Sequence, residues 1–280
     1  AELCNCSSAP LTITSTVDVN FSALPKAPII VPHLQDSQNP PPSSTAEVNT
    51  SETTQAAKPI KVMYFNADNL LNKRPELEAL ISINTPDVLC VTETMPKRSI
   101  TPVADSELQL DSYEIHFNTN AKRGVTIYTK ASLKATPCLE DCTVPNYEEH
   151  CWVTMKLKGS DSLLIGCIYR SPNSGDENNE ALLDILRTAC FKENPSHILI
   201  CGDFNLPGID WDDAPSTTQG PDSLNSKFID CIQDCFLWQH VTQATHQRGA
   251  QAANILDLIF TNEENMVSNL DIQAPVGKSH

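Results

Sequence analysis

His197-Ile198-Leu199-Ile200-Cys201-Gly202-Asp203-Phe204-Asn205 is an apolar run of β type that ends at a glycine and then presents an acid and an amide. The unbroken series from Ile198 to Cys201 suits a strand buried on both faces, as at the centre of a layered α/β fold. Gly202 is expected to let the backbone turn sharply where the strand ends. Asp203 and Asn205 lie two apart, so in an extended backbone both side chains leave on the same side and address one small group together. The same residues are also ordinary turn formers, so the run acquires meaning only from its surroundings.

Working outward, Ala181 to Phe191 carries helical spacing and feeds the run, and Ser162 to Tyr169 before it reads as another strand. On the other side, Leu224 to Cys235 suits a helix, and Ile255 to Phe260 is a strand with Asp257 among apolar neighbours. Further upstream, Ile60 to Asn66 is a strand ending in an amide. A helix follows through Leu70, Leu71, Leu77, Leu80 and Ile81, with Pro75 near its start and Pro86 stopping it. Asp87 to Glu93 is a second buried strand ending in an acid, which makes a βαβ unit with Asn66 and Glu93 at matching ends. Tyr113 to Phe117, Gly124 to Thr129, Cys151 to Lys156 and Ser162 to Tyr169 are spaced as an antiparallel meander.

The 280 residues, 40% of them hydrophobic, allow one large α/β domain or two small ones with a real core. The Ser/Thr/Pro-rich stretch 1–58 has too little apolar surface for a core; it is expected to be a disordered linker, dispensable for a domain spanning 59–280. A net charge of −16 excludes a protein that holds nucleic acid by bulk electrostatics and leaves room for a metal-binding enzyme. Eleven cysteines occur without repeated CxxC spacing. Cys90, Cys167 and Cys201 fall in strand-like runs as small hydrophobes, and Cys138/Cys142 and Cys231/Cys235 lack finger-spaced partners for zinc. The expectation is a reducing, intracellular setting, nucleus or cytoplasm. No signal peptide or transmembrane run is seen, and no membrane partner is expected.

Asn66, Glu93, Tyr169, Asp203, Asn205 and Asp257 share one property: each ends or interrupts an apolar strand. Carboxylates, amides, a tyrosine and a histidine together suit a site that holds Mg²⁺ at a phosphate and aims a water at phosphorus.

These residues resemble those of the endonuclease/exonuclease/phosphatase superfamily. The likeness is carried by Asn66, Val91-Thr92-Glu93-Thr94, Ile168-Tyr169-Arg170-Ser171-Pro172, Gly202-Asp203-Phe204-Asn205, Thr245, Asn254 to Ile259 and Gly277-Lys278-Ser279-His280. Within that superfamily the details are similar to the endonuclease domain of LINE-type, non-LTR retrotransposon polyproteins, over roughly Pro59 to His280. The resemblance implies a four-layered α/β (α+β) sandwich, two mixed β-sheets face to face with helices outside. It implies a monomeric, Mg²⁺-dependent DNA-nicking endonuclease, with Mn²⁺ as a substitute metal and a reverse transcriptase region in the parent polyprotein. Glu93 would be the main metal ligand with Asn66 beside it. Asp203 would orient or deprotonate water, and Asn205 would position it. Tyr169 would bond the phosphate, and His280, oriented by Asp257, would contact or protonate phosphate oxygens. Thr245 and Ser279 would assist as substrate or supporting contacts. For Arg170 a phosphate contact and a surface ion pair are both open.

One departure stands out: the family's Ser-Asp-His followed by a closing strand reads here Ser279-His280. The expectation is therefore a core strand lacking its edge partner and an impaired nuclease. A catalytically inactive binding module and a phosphatase of the same superfamily are the alternative readings. His240 and His246 are further histidines near strand ends.

Overall fold

The computed structural model describes residues 14–21, 58–97, 103–118, 120–138, 147–212, 214–246 and 253–273. In chain order the first half gives β1 (Thr14–Val19), β2 (Ile60–Asn66), α1 (Arg74–Asn84), β3 (Val88–Thr92), α2 (Asp105–Leu108), β4 (Tyr113–Phe117), β5 (Val125–Lys130) and β6 (Thr136–Pro137). The second half gives β7 (His150–Lys156), β8 (Ser162–Tyr169), α3 (Asp176–Arg187), β9 (His197–Asp203), α4 (Leu224–Asp234), β10 (Trp238–Gln239), β11 (Asp257–Thr261) and β12 (Val267–Gln273). Two six-stranded mixed sheets form, ordered β12-β1-β2-β3-β5-β4 and β10-β11-β9-β8-β7-β6.

The period of two along each strand sorts residues into layers. Val62 and Tyr64 of β2 enter the core between the sheets, where they join Cys90, Ile127, Ile165, Leu199 and Ile259. Met63 and Phe65 point the other way and meet Leu77 of α1 and Leu108 of α2. On the far side of the second sheet, Leu164, Ile198 and Phe260 pack on Leu182 and Ile185 of α3 and on Phe228 and Ile232 of α4. Each such side chain, fully buried, contributes about 2 kcal/mol. The result is the four-layered sandwich expected. Local signals work as read: Pro75 sits in the first turn of α1, which closes on Thr85 in the left-handed region before Pro86.

Three expectations are corrected. The four middle strands are not one meander: β4 and β5 belong to the first sheet, β7 and β8 to the second. Gly202 makes no turn. It lies inside β9, and a Cβ there would meet the Ile168 carbonyl oxygen at 1.9 Å, so glycine is required by the close approach of β8 and β9. Finally, the stretch 1–58 is not all linker. Residues 14–19 form β1, laddered on both sides, to β12 and to β2, with Val17 and Val19 in the core between the sheets. β12 thereby has β1 as its ladder partner. The period-2 pattern of Thr14-Ser15-Thr16-Val17-Asp18-Val19 was masked by its low-complexity neighbourhood, and its β-branched residues suit a strand whatever flanks it.

Candidate active site

Topology gathers the polar strand ends. β2 and β3 are parallel, so Asn66 and the Thr92-Glu93 step finish side by side. β8 and β9 are also parallel, with Tyr169 opposite Asp203, while antiparallel β11 begins where β9 ends and sets Asp257 opposite Asp203. Asn66 ties the two sheets together: its Nδ2 donates to Asp203 Oδ2 at 3.0 Å and to Glu93 Oε1 at 3.4 Å. Asp203 Oδ1 accepts from the backbone N–H of Asn205 at 3.1 Å. Asp257 Oδ1 accepts from the hydroxyl of Tyr64, 2.8 Å away, which also pairs with Thr92 Oγ1. Asn66, Glu93, Tyr169, Asp203 and Asp257 are all buried.

Three carboxylates in so small and dry a place repel one another. Burial, and then the charges of Asp257 and Glu93, push the Asp203 carboxyl well above its ordinary range. Burial raises Asp257 to about 6, with hydrogen bonds from Tyr64 and Thr245 pulling against it. Burial and then the Glu93 and Asp203 charges raise the Tyr169 phenol, so it stays protonated and can donate.

Several members of the predicted set have defined partners within the fold. Among the described residues Arg170 forms no ion pair. It is buried, its Nε donates to Asn179 Oδ1 at 2.9 Å and its Nη1 to the carbonyl of Asn205 at 3.0 Å, so it braces the turn after β9. Asn205, at φ 50°, returns the bond, its Nδ2 donating to the Arg170 carbonyl at 2.7 Å. Thr245 is buried too; its Oγ1 accepts from the N–H groups of Leu256 and Asp257, at 2.9 and 3.0 Å, and thereby fixes how β11 enters the site. His240 pairs with Thr261 Oγ1 at 2.6 Å, and burial pulls its imidazole down to about 4. Ser279 and His280 lie outside the described residues.

Four participants escaped the sequence reading: Arg123, Asp68, Tyr64 and Glu149. The Arg123 guanidinium pairs with Glu93 Oε2 and reaches Asp68 Oδ1 at 3.0 Å and the Met95 carbonyl at 2.7 Å. Gly124, at φ 81°, permits this, because a Cβ there would lie 2.1 Å from Thr94 Oγ1 in the loop after β3. Glu149 Oε1 accepts from the N–H groups of Lys122 and Arg123 and holds the turn in place. The Arg-Gly pair entering β5 was the available signal.

The oxygen donors of Glu93, Asn66 and the two aspartates are hard ligands of the kind a divalent Mg²⁺ or Mn²⁺ ion takes, and such an ion would relieve the crowding that raises Asp203. The donor set fits the metal, with Arg123 as a competing cation on Glu93. A tighter cluster of ligand atoms, the thiols of Cys90, Cys167 and Cys201 within 4.8 Å of one another, sits in the apolar core between the sheets. Its soft donors suit packing rather than phosphate chemistry.

A two-sheet sandwich with carboxylates gathered at its strand ends defines the endonuclease/exonuclease/phosphatase fold. Residues 163–280 match the family described as endonuclease-reverse transcriptase. Among solved structures the endonuclease domain of TRAS1, a telomere-specific non-LTR retrotransposon, superposes with a TM-score of 0.52 at 13% identity, covering 78% of this chain and 99% of that one. The 3'-5' exonuclease from Neisseria meningitidis gives 0.51 at 15% identity over 71% of this chain and 84% of that one. The AP endonuclease of Leishmania major gives 0.50 at 16%, over 71% and 77%. No curated protein matches the chain. The chain thus has the superfamily fold, and its second half carries the endonuclease-reverse transcriptase pattern.

Proposed function

We propose that this protein is a divalent-metal-dependent phosphodiesterase that nicks DNA, of the kind that accompanies a reverse transcriptase in a retrotransposon polyprotein. The observation that carries the reading is Asn66, a single amide bonded to Glu93 of one sheet and Asp203 of the other, which joins a metal-ligand type and a water-orienting type of carboxylate in one buried cluster. Glu93 and Asn66 would hold Mg²⁺, which when bound supplies Lewis-acid stabilisation of charge on the phosphate. Asp203, kept in register by the Asn205 N–H, would orient the attacking water. Tyr169 would donate to a phosphate oxygen, and Asp257 would align the His280 imidazole that contacts the leaving oxygen. With a net charge of −16, DNA affinity would rest on such site contacts.

The test is relaxation of supercoiled plasmid in Mg²⁺ or Mn²⁺ against EDTA, with Asp203→Asn as control. Metal-dependent nicking lost on the order of 10²–10⁴-fold in the variant is the expected result. A second reading, a non-catalytic module that keeps the fold, is favoured by one observation, the occupation of Glu93 by Arg123. Metal-independent DNA retention without nicking would select it, and release of inorganic phosphate from a terminal phosphate without nicking would select a phosphatase.

A further inference from the structure

β1 occupies an unusual place: it is an interior strand of the first sheet, yet it enters between the sheet's last strand in sequence, β12, and the next strand after it, β2. Residues 20–59 join Val19 to Ile60, which are direct partners in the antiparallel ladder. A two-residue turn would suffice for that geometry. The connection therefore imposes neither the register nor the identity of the molecule that supplies the strand.

What holds β1 is nearly all backbone and shape. It pairs along its full length with β2 and, with one irregularity at Asp18/Val19, with β12. Val17 and Val19 enter the core between the sheets. Beyond them Phe21 rests on the His197 ring of the opposite sheet, centroids 5.0 Å apart. The buried hydroxyls of Thr14 and Thr16 have no partner among the described residues, and the side-chain bond that does reach the strand, from Ser268 Oγ to the Asp18 carbonyl at 3.0 Å, is again to its backbone. Affinity from main-chain bonds and register from alternate side chains is the physics of strand addition to a sheet edge. Without β1 the slot would expose two facing edges, β2 and β12, with their N–H and C=O groups unpaired.

We propose that the slot between β2 and β12 is a strand-acceptor site, and that its exchange partner is the Thr14–Val19 strand of a second copy of this chain. The swapped and unswapped forms share every contact within the sheet. They differ only in which molecule the 20–59 connection returns to, so association is governed by concentration once the strand has been released.

Full-length Val17→Pro tests this, because proline removes a donor from an interior strand and so cripples the resident occupant while leaving the acceptor intact. A fluorescent peptide of residues 11–21 is expected to bind this variant saturably and raise its Tm by several degrees, and the same peptide carrying Val17→Pro is not. Wild-type chain mixed with the variant after brief exposure to mild denaturant should give a mixed dimer by native mass spectrometry, increasing with concentration. A folded variant that takes up no peptide overturns the acceptor site, and so does a variant that stays unfolded with the peptide present. Peptide binding without any mixed dimer overturns the second copy as partner.

Discussion

At the level of single residues the site is a balance of charge that the chain sets with its own cation. Arg123 and Glu93 are both largely shielded from water, so removing the guanidinium leaves an unpaired buried carboxylate. Arg123→Ala should lose on the order of 3 kcal/mol of stability in EDTA and recover more of it than wild type does on adding Mg²⁺, its metal midpoint falling. Equal Mg²⁺ responses in thermal melts would show that Arg123 and the metal do not compete. Asp257 gives a second expectation. Its proton is held more tightly in the folded chain than at the ordinary carboxylate value of 3.8, so the stability it supports is complete below about pH 4 and lost as pH rises through about 6. At pH 7 in EDTA, Asp257→Asn should be more stable than wild type by on the order of 2 kcal/mol, and the gain should vanish near pH 4. A gain that persists unchanged at low pH would place the effect elsewhere. Sequence spacing made Asp203, Glu93 and Asn66 visible because each closes an apolar strand. It could not show Arg123, whose position depends on a turn held by Glu149 across 26 residues, nor Tyr64, which reads as one more core aromatic until its hydroxyl is seen against Asp257.

At the level of elements, backbone approach decides more than turn chemistry does. Gly202 was legible as special, but for the wrong reason: its neighbour across the ladder, Ile168, is set by strand register, which no local pattern reports. A methyl at this position would strike a backbone oxygen that cannot move without breaking the β8–β9 ladder. Gly202→Ala is therefore expected to cost about 2–4 kcal/mol in urea titration, and to displace Asp203 with it. A cost near zero would mean the strands can separate freely. The opposite sign is expected in β1. The Thr16 hydroxyl is buried without a partner, so Thr16→Val should stabilise by about 1 kcal/mol and tighten binding of the 11–21 peptide alike. A destabilised Thr16→Val would show that the hydroxyl is satisfied. β1 itself was missed because a low-complexity setting argues about average composition, whereas a strand inserted into a ready-made slot needs only a few residues of the right parity.

For the whole molecule, acid acts in two opposed ways. Carboxylates such as Asp257 gain from protonation between pH 6 and 4, whereas two half-buried imidazoles lose over the same range. Burial pulls both His150 and His240 down to about 4. An imidazole whose folded-state affinity for a proton is lower than its ordinary value near 6.5 supports stability that is fully present above pH 6.5 and is lost as the pH falls toward 4. His150 bears on the proposed function through where it sits: its ring stacks on Tyr147, centroids 6.1 Å apart, and the Tyr147 hydroxyl donates to the Tyr169 carbonyl at 2.7 Å, behind the proposed catalytic cluster. Charging that ring should loosen the backing of Tyr169 before the molecule unfolds. The expected outcome is that wild type loses stability on going from pH 7 to pH 5, by on the order of 1–2 kcal/mol more than His150→Gln or His240→Gln, each measured by urea titration in EDTA. The proposed phosphodiesterase activity should fall less steeply over that interval in His150→Gln than in wild type. Parallel pH profiles for wild type and both variants would remove the imidazoles from the account and leave the crowded carboxylates as the groups through which acid acts on this fold.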